Sequence, residues 1–471
     1  MTVEKQVEIQ TANALRDRVV DEAQATDLKQ MPGSALDYLR VAVLDWAGVT
    51  VAGAAEPSAR LLQDHAADEG GRPVSRALGT ALRMPAQQAA LVNGSAGHAL
   101  DFDDMGLGGL HPSVVLLPAV FALAEKRHSS GRELAEALLA GYQALARISY
   151  ACGWSAYRRG FHATGTVGTL GAAVGCAKLL GLDTQGYLAA LGLAATQAAG
   201  LKVSFGSMAK HLNAGKAAAN GLLAAELAAV GFTAGEEALE GDQGFVRAHG
   251  DIDDFDPSRA DQVLGDRHAV TALMFKVHAA CGGTHATIES ITRAVSDPPV
   301  DVAEIERVDV TVSADLMGMC DIPEPQTGLE GKFSLRHAAA LALRRASTGT
   351  SGFTDEAVAD PANRAARALV HITASPRLAV DGPAEVVLRL SSGERRSASV
   401  NPYVPIPEAE LAARSGILAD KFTELVTPVL GYRPTVALRA ALLAFDQADD
   451  IAQVTRLAAV TGVTGDVEAD G

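Results

Sequence analysis

Within Asn93–Pro118 (NGSAGHALDFDDMGLGGLHPSVVLLP), His98 is followed by three carboxylates, Asp101, Asp103 and Asp104. Gly106, Gly108 and Gly109 then lead to His111-Pro112 and an apolar run. Carboxylates and imidazoles this close can trade protons near neutral pH. Pro112 suits the first turn of a helix, where its missing N–H costs nothing. His111 is therefore expected at a helix N-terminus, whose amides and dipole attract an anion. By spacing alone, a solvated acidic loop closed by a helix cap explains the stretch equally well.

The elements that must position these groups are mostly helical. Ser34 can cap a helix, with Asp37 at its third position. Leu36, Leu39, Val43 and Trp46 follow at helical spacing. Ala86–Ala99, Pro112–Lys126, Arg132–Ser149 and Thr184–Ala199 read as further helices. Gly160–Gly181 holds His162 and then Gly165, Gly168, Gly171 and Gly175. Each glycine costs a helix about 0.8–1 kcal/mol relative to alanine, so close helix–helix approach is the expected reason for them. The segment reads as too short and too polar to span a membrane. Lys210 and His211 open a long Ala/Leu helix ending at Gly231. Residues 1–32 read as an amphipathic lead-in, and residues 241–266, polar and Asp-rich, as a surface excursion.

The texture changes after residue 270. Phe275–Ala294 reads as a turn then a helix. Val308, Val310 and Val312 alternate as a half-buried strand. Lys332–Arg345 reads as a helix. Val386, Leu388 and Leu390 lead through Ser391-Ser392-Gly393 into Glu394–Val400 as a hairpin. The helical pattern resumes at Glu408, and the last dozen residues are expected to fray.

Composition sets wider bounds. The chain has 471 residues, enough for a large core and two domains. Its formal charge of −16 argues against nonspecific nucleic-acid or anionic-membrane binding. A local cluster of Lys and His can still receive an anionic substrate. The N-terminus reads as polar, without a signal peptide. Cys152, Cys176, Cys281 and Cys320 are scattered, with no CxxC or Cys/His zinc spacing, which fits a reducing cytoplasm and offers no iron–sulfur framework.

Five ordered motifs resemble the MmgE/PrpD family. They are HALDFDD…HPS at 98–113, FHATGTVGTLGAA at 161–173, KHLNAGKAAANG at 210–221, FK…C…TH at 275–285 and KFSLRHAAALAL at 332–343. The resemblance spans about residues 30–460. It implies a mainly α protein, with a large all-helical body (1–270 and 409–471) and a smaller inserted α+β lid (271–408). It also implies a homodimer needing neither metal nor iron–sulfur cluster; no cofactor is expected, and the cysteine usage points to the cytoplasm.

Position by position, the resemblance implies a site of Asp101, His111, His162, Lys210 and Lys276, with Cys281 and His285 from the lid. Lys210 and Lys276 would hold carboxylates and developing charge; the plainer reading is a lysine snorkelling from a helix end. His111 and His162 would be acid or base, kept neutral by helix N-termini; the plainer reading is a cap or a core hydrogen bond. Asp101 would orient a histidine or accept a proton, while Asp103 and Asp104 brace the loop and His98 and His211 are structural. Cys281 could be a thiolate base or a small packing residue. Met105 stands where family members often have threonine, beside the presumed substrate, and Asn213 where a histidine is common.

The function implied is a dehydratase-type lyase acting on a 2-methylcitrate-like hydroxy polycarboxylate. Alternatives are an isomerase, epimerase or decarboxylase of a related dicarboxylate or imino acid, and a non-catalytic helical binding protein.

Overall fold

The computed structural model describes residues 15–460. The expected frayed tail falls almost wholly outside that range. Of the lead-in, Leu15–Ala25 is described: a helix burying Leu15, Val19, Val20 and Ala23.

Alanine and glycine side chains are too small to hold helices apart, so segments rich in them pack closely. The larger core is built this way from α1 (Gly33–Gly53), α2 (Ala86–Ala99), α3 (Ser113–Arg127), α4 (Gly131–Cys152), α5 (Ala163–Leu180), α6 (Thr184–Gln197) and α7 (Met208–Ala229). On α5, a Cβ added to Gly171 would lie 2.3 Å from the Leu145 side chain of α4. On α7, one added to Gly215 would lie 2.2 Å from the Leu91 carbonyl oxygen of α2. Backbone cannot give way cheaply there. Gly215→Ala is therefore expected to destabilise the protein by about 1–3 kcal/mol. The check is a urea midpoint that falls while the m-value holds; an unchanged midpoint would show that α2 and α7 are not so tightly seated.

Three local expectations are corrected. Ser34 does not cap α1, which begins at Gly33 after an extended Pro32 with no side-chain cap bond. Ser34 thus sits inside the first turn, where its own N–H is one of the free groups. Pro112 occupies the N-cap of α3, so its helical residues start at Ser113. By length and composition α5 is long and apolar enough to cross a membrane. It is instead mostly buried among α3, α4 and α7, which accounts for its hydropathy as core.

A second core lies around a four-stranded sheet. Its strands are β1 (Ile305–Ser313), β2 (Val370–Ser375), β3 (Ala384–Leu390) and β4 (Arg395–Val400), in the order β2-β1-β3-β4. β1 and β2 are parallel; the other pairs are antiparallel. Alternation puts Val308, Val310 and Val312 inward, against Ile288 and Ile291 of α8 (His285–Ser296) and Leu335 of α9 (Leu335–Leu343). The β3–β4 hairpin turns at Gly393, whose φ is 85°. The helix expected over Lys332–Arg345 is shorter, because the Ser334 side chain accepts from His337 N and caps it there. β2 has no counterpart in the sequence reading: VHITAS is largely exposed, and its partner is more than fifty residues away. The helix α10 (Leu411–Leu430) returns to the first core, with Phe422 against Gly48 of α1.

Candidate active site

The turn after α2 gathers four buried lysines. Asp101 has φ 49°, a left-handed conformation that a non-glycine residue holds at a cost of about 1–3 kcal/mol. Its surroundings account for it. Lys210 of α7 donates to Asp101 Oδ2 at 2.9 Å. Lys276 donates to Asp101 Oδ1, to the Asp101 carbonyl at 3.0 Å and to the Ala280 carbonyl at 3.1 Å. Lys332, just before α9, donates to the carbonyls of Ala99 (3.3 Å) and Leu100 (2.9 Å). Lys421 of α10 donates to Asp45 Oδ1 of α1 (2.7 Å) and to the carbonyls of Phe102 (2.7 Å) and Lys276 (3.0 Å). Ammonium groups thus hold the main chain on both sides of Asp101.

The charges follow from that wiring. Burial opposes ionisation of Asp101, but Lys210 and Lys276 hold it well below the usual carboxylate range. Burial brings Lys332 down to about 8, with Glu56 and Asp101 opposing. Burial also lowers Lys421, with Asp45 opposing.

A second carboxylate orients the imidazoles. Asp103 accepts from His98 Nδ1 at 3.0 Å, and its Oδ2 lies 2.9 Å from His111 Nδ1, which donates to the Asp104 carbonyl at 3.1 Å. Both acceptor atoms are oxygens, so each Nδ1 carries the proton. The two rings lie 4.5 Å apart. His98 Nε2 is buried without a partner among the described residues. Burial pulls His111 down to about 4 despite Asp103, leaving its Nε2 a free lone pair at neutral pH. His162, the N-cap residue of α5, is also driven well below the ordinary histidine value, by burial and then by Lys210. Asn213 Nδ2 lies 3.2 Å from His162 Nδ1. Donation by that amide leaves the His162 proton on Nε2. Asp104, held only by the amide and hydroxyl of Ser113, is pushed well above the carboxylate range by burial.

His111, His162, Lys210, Cys281 and Met105 line one cavity of about 460 Å³. The turn bearing Cys281 is held by its own amide to the Lys332 carbonyl (2.9 Å) and by Tyr403 Oη donating to the Gly282 carbonyl (2.6 Å). The neighbouring Cys320 thiol draws the Cys281 thiol down, against burial.

Other expected residues stand elsewhere. Asp101 lies beneath Lys210 rather than on the cavity wall. Lys276 was expected to bind substrate, but its three N–H groups are spent on Asp101 and Ala280. His285 faces a second cavity with His278 and Glu289, and its Nε2 lies 3.3 Å from the Ala280 carbonyl. Roles also shift between the aspartates: Asp103 orients the histidines, and Asp101 organises the lysines. The acidic excursion is not wholly solvated, because Arg259 and Val263 form part of the main cavity wall.

Sequence reasoning missed Asp45, Lys421, Lys332 and the histidine-setting role of Asn213. A carboxylate inside the apolar run VAVLDWAGV was a visible signal for Asp45. Nothing local pairs it with a lysine 376 positions away.

Ligand atoms of His98, Asp101, Asp103 and His111 all lie within 4.8 Å of one another. Both Asp101 oxygens already accept from ammonium groups, and Asp103 accepts from His98 while facing His111 Nδ1 at 2.9 Å. A divalent ion would have to displace that network, so the donor set fits proton handling better than metal binding.

Comparison with known proteins follows the same chain segments. Residues 18–258 match the MmgE/PrpD N-terminal domain, and residues 278–446 the MmgE/PrpD C-terminal domain. Cis-aconitate decarboxylase-like protein oryM of Aspergillus oryzae is 31% identical over 284 residues, 55% of this chain and 59% of that protein. Cis-aconitate decarboxylase of Aspergillus terreus is 29% identical over 289 residues, 57% and 59% of the two chains. The human cis-aconitate decarboxylase is 35% identical over 169 residues, 35% of each chain. The chain thus spans less than two thirds of the length of these relatives.

Proposed function

Because the chain belongs to the MmgE/PrpD family, we propose that it is a cofactor-independent lyase acting on a polycarboxylate. The observation that carries this reading is the convergence of His111, His162 and Lys210 on one cavity. Lys210 offers an ammonium group to a substrate carboxylate and to the charge that develops beside it. His111, with Nδ1 donating to the Asp104 carbonyl and facing Asp103, presents Nε2 as a base. His162, with Nδ1 tied to Asn213, presents Nε2–H as a neutral donor.

For dehydration, His111 takes the proton α to a carboxylate, the electron pair forms the double bond, and the leaving hydroxide takes the His162 proton. For decarboxylation, CO₂ leaves without its bonding pair and the resulting carbanion takes a proton from a histidine. The named relatives support the second version, and the residue set supports either. Incubation with citrate-type and aconitate-type acids tests the reading: enoate absorbance without CO₂ marks dehydration, and CO₂ release marks decarboxylation. Silence across a broad panel would sink it.

An epimerase reading rests on Cys281, whose depressed thiol shares the cavity with the two histidines. It predicts deuterium wash-in at the α-carbon without net elimination.

The pH profile carries a sign. His111 is about 4 in the folded state against roughly 6.5 for free histidine. The acid limb of kcat/KM is therefore expected near pH 4 rather than 6.5. Over that window the unfolded chain binds more protons at this position, so the His111 contribution to stability is lost as pH falls. An acid limb near 6.5 would remove His111 as the base.

The second core is proposed as a lid over the site, and the protein as a homodimer; sedimentation would settle the latter.

A further inference from the structure

The cavity is larger and more apolar than the chemistry proposed for it requires. At about 460 Å³ it falls within the roughly 300–1,000 Å³ range of sites that hold drug-sized ligands. Its lining divides by depth. His162, Lys210 and Cys281 are buried, with Leu107 and Leu110 beside them. Tyr150, Trp154, Tyr157, Val263, Met274 and Val380 are partly or fully exposed and form the outer part. Trp154 and Tyr157 meet edge to face, with ring centres 5.5 Å apart.

The arginines of the outer part are engaged with the protein's own main chain, Arg259 also lying 3.6 Å from Asp254 Oδ1. Arg259 donates to the carbonyls of Tyr150 and Asp254, both at 2.8 Å. Arg267 donates to the carbonyls of Leu264 and Val263 at 3.3 and 3.1 Å. Asp381, also on the wall, repels a carboxylate. The remaining surface is aromatic and aliphatic. Met105, on the same wall, offers a thioether.

We infer that the substrate is amphiphilic: a polycarboxylate head held at Lys210 and the histidines, carrying an unbranched alkyl chain of several carbons along Tyr150, Trp154, Tyr157 and Val263. This deepens the lyase reading and rests on it. Apolar burial contributes about 0.8 kcal/mol per methylene, close to four-fold in affinity when the group is fully buried. In a partly open channel the gain is about two- to four-fold per carbon.

The test uses citrates carrying methyl, butyl or hexyl groups at the α-carbon, and a butyl chain ending in a carboxylate. The full-length protein should show kcat/KM rising at least about ten-fold from methyl to hexyl, mainly through KM. The terminal carboxylate should erase the gain. Val263→Asp changes an exposed side chain, so the fold is spared, and it should cut the hexyl-to-methyl ratio about five-fold or more. Trp154→Ala should flatten the chain-length series, and Trp154→Phe should restore part of the slope. Efficient turnover of the methyl compound with a flat or falling series overturns the alkyl-chain inference and leaves the lyase reading standing. No turnover and no calorimetric binding of any member overturns both.

Discussion

His162→Ala should lower kcat by about 10²–10⁴-fold, the range for losing a positioned acid or base, while thermal unfolding stays close to that of the parent protein. The side chain opens onto the cavity, and its one described side-chain hydrogen bond is to Asn213. Its removal leaves no buried charge behind. His211→Ala is the informative contrast. His211 is buried with its Nδ1 on Ser58 and does not line the cavity. Its loss should reduce stability more than turnover. Lys210→Met should resemble His162→Ala, falling about 10²–10³-fold as for a lost electrostatic donor, because Asp101 keeps Lys276 as a partner. Activity within ten-fold of the parent in both His162→Ala and Lys210→Met would sink the assignment of this cavity as the reaction site.

Lys421→Met should destabilise the protein by about 3–5 kcal/mol, the cost of breaking a buried ion pair from one side. Its ammonium is the only described hydrogen-bond partner of the Asp45 carboxylate, whose Oδ2 is already unpaired. It also ties α10 to the Phe102 carbonyl beside Asp101 and to the Lys276 carbonyl. Urea unfolding of Lys421→Met, Asp45→Leu and the double variant would resolve this. The double variant should recover much of the loss, because removing both charges avoids stranding either. Equal destabilisation in all three would show that packing, not the charge pair, dominates. Lys421→Arg should fail to restore parent stability, since a planar guanidinium does not fit a site built for three donors from one nitrogen.

Much of the helical framework was legible because a helix advertises itself locally. Ala86–Ala99 coincides with the observed α2, and the runs around α3, α4, α6 and α7 differ by a few residues. The β3–β4 hairpin was legible for the same reason: period-two alternation and a Ser-Ser-Gly turn lie within one short stretch. β2 was not, because a parallel strand takes its partner from a distant segment and its own residues are half exposed. The frayed tail and much of the lead-in lie outside the described residues.

The candidate site divides along the same line. Residue type and motif order were enough to mark Asp101, His111, His162, Lys210, Cys281 and Met105. They could not tell which face a cavity from which lie beneath it. Lys276 and Lys210 look alike in sequence, yet one is spent on Asp101 and the Ala280 carbonyl while the other borders the cavity. Asp101, Asp103 and Asp104 stand within four residues, and the fold gives them three different partners: lysines, histidines and Ser113.

The sequence by itself determined the family and the mainly helical character, and it marked the candidate acid, base and cationic groups, because those depend on side-chain chemistry and local periodicity. Only the tertiary structure decided which ring nitrogen is free, which ammonium is spoken for, and how deep and how apolar the cavity is. Each of those depends on burial and on partners supplied from tens to hundreds of residues away, which no local pattern encodes.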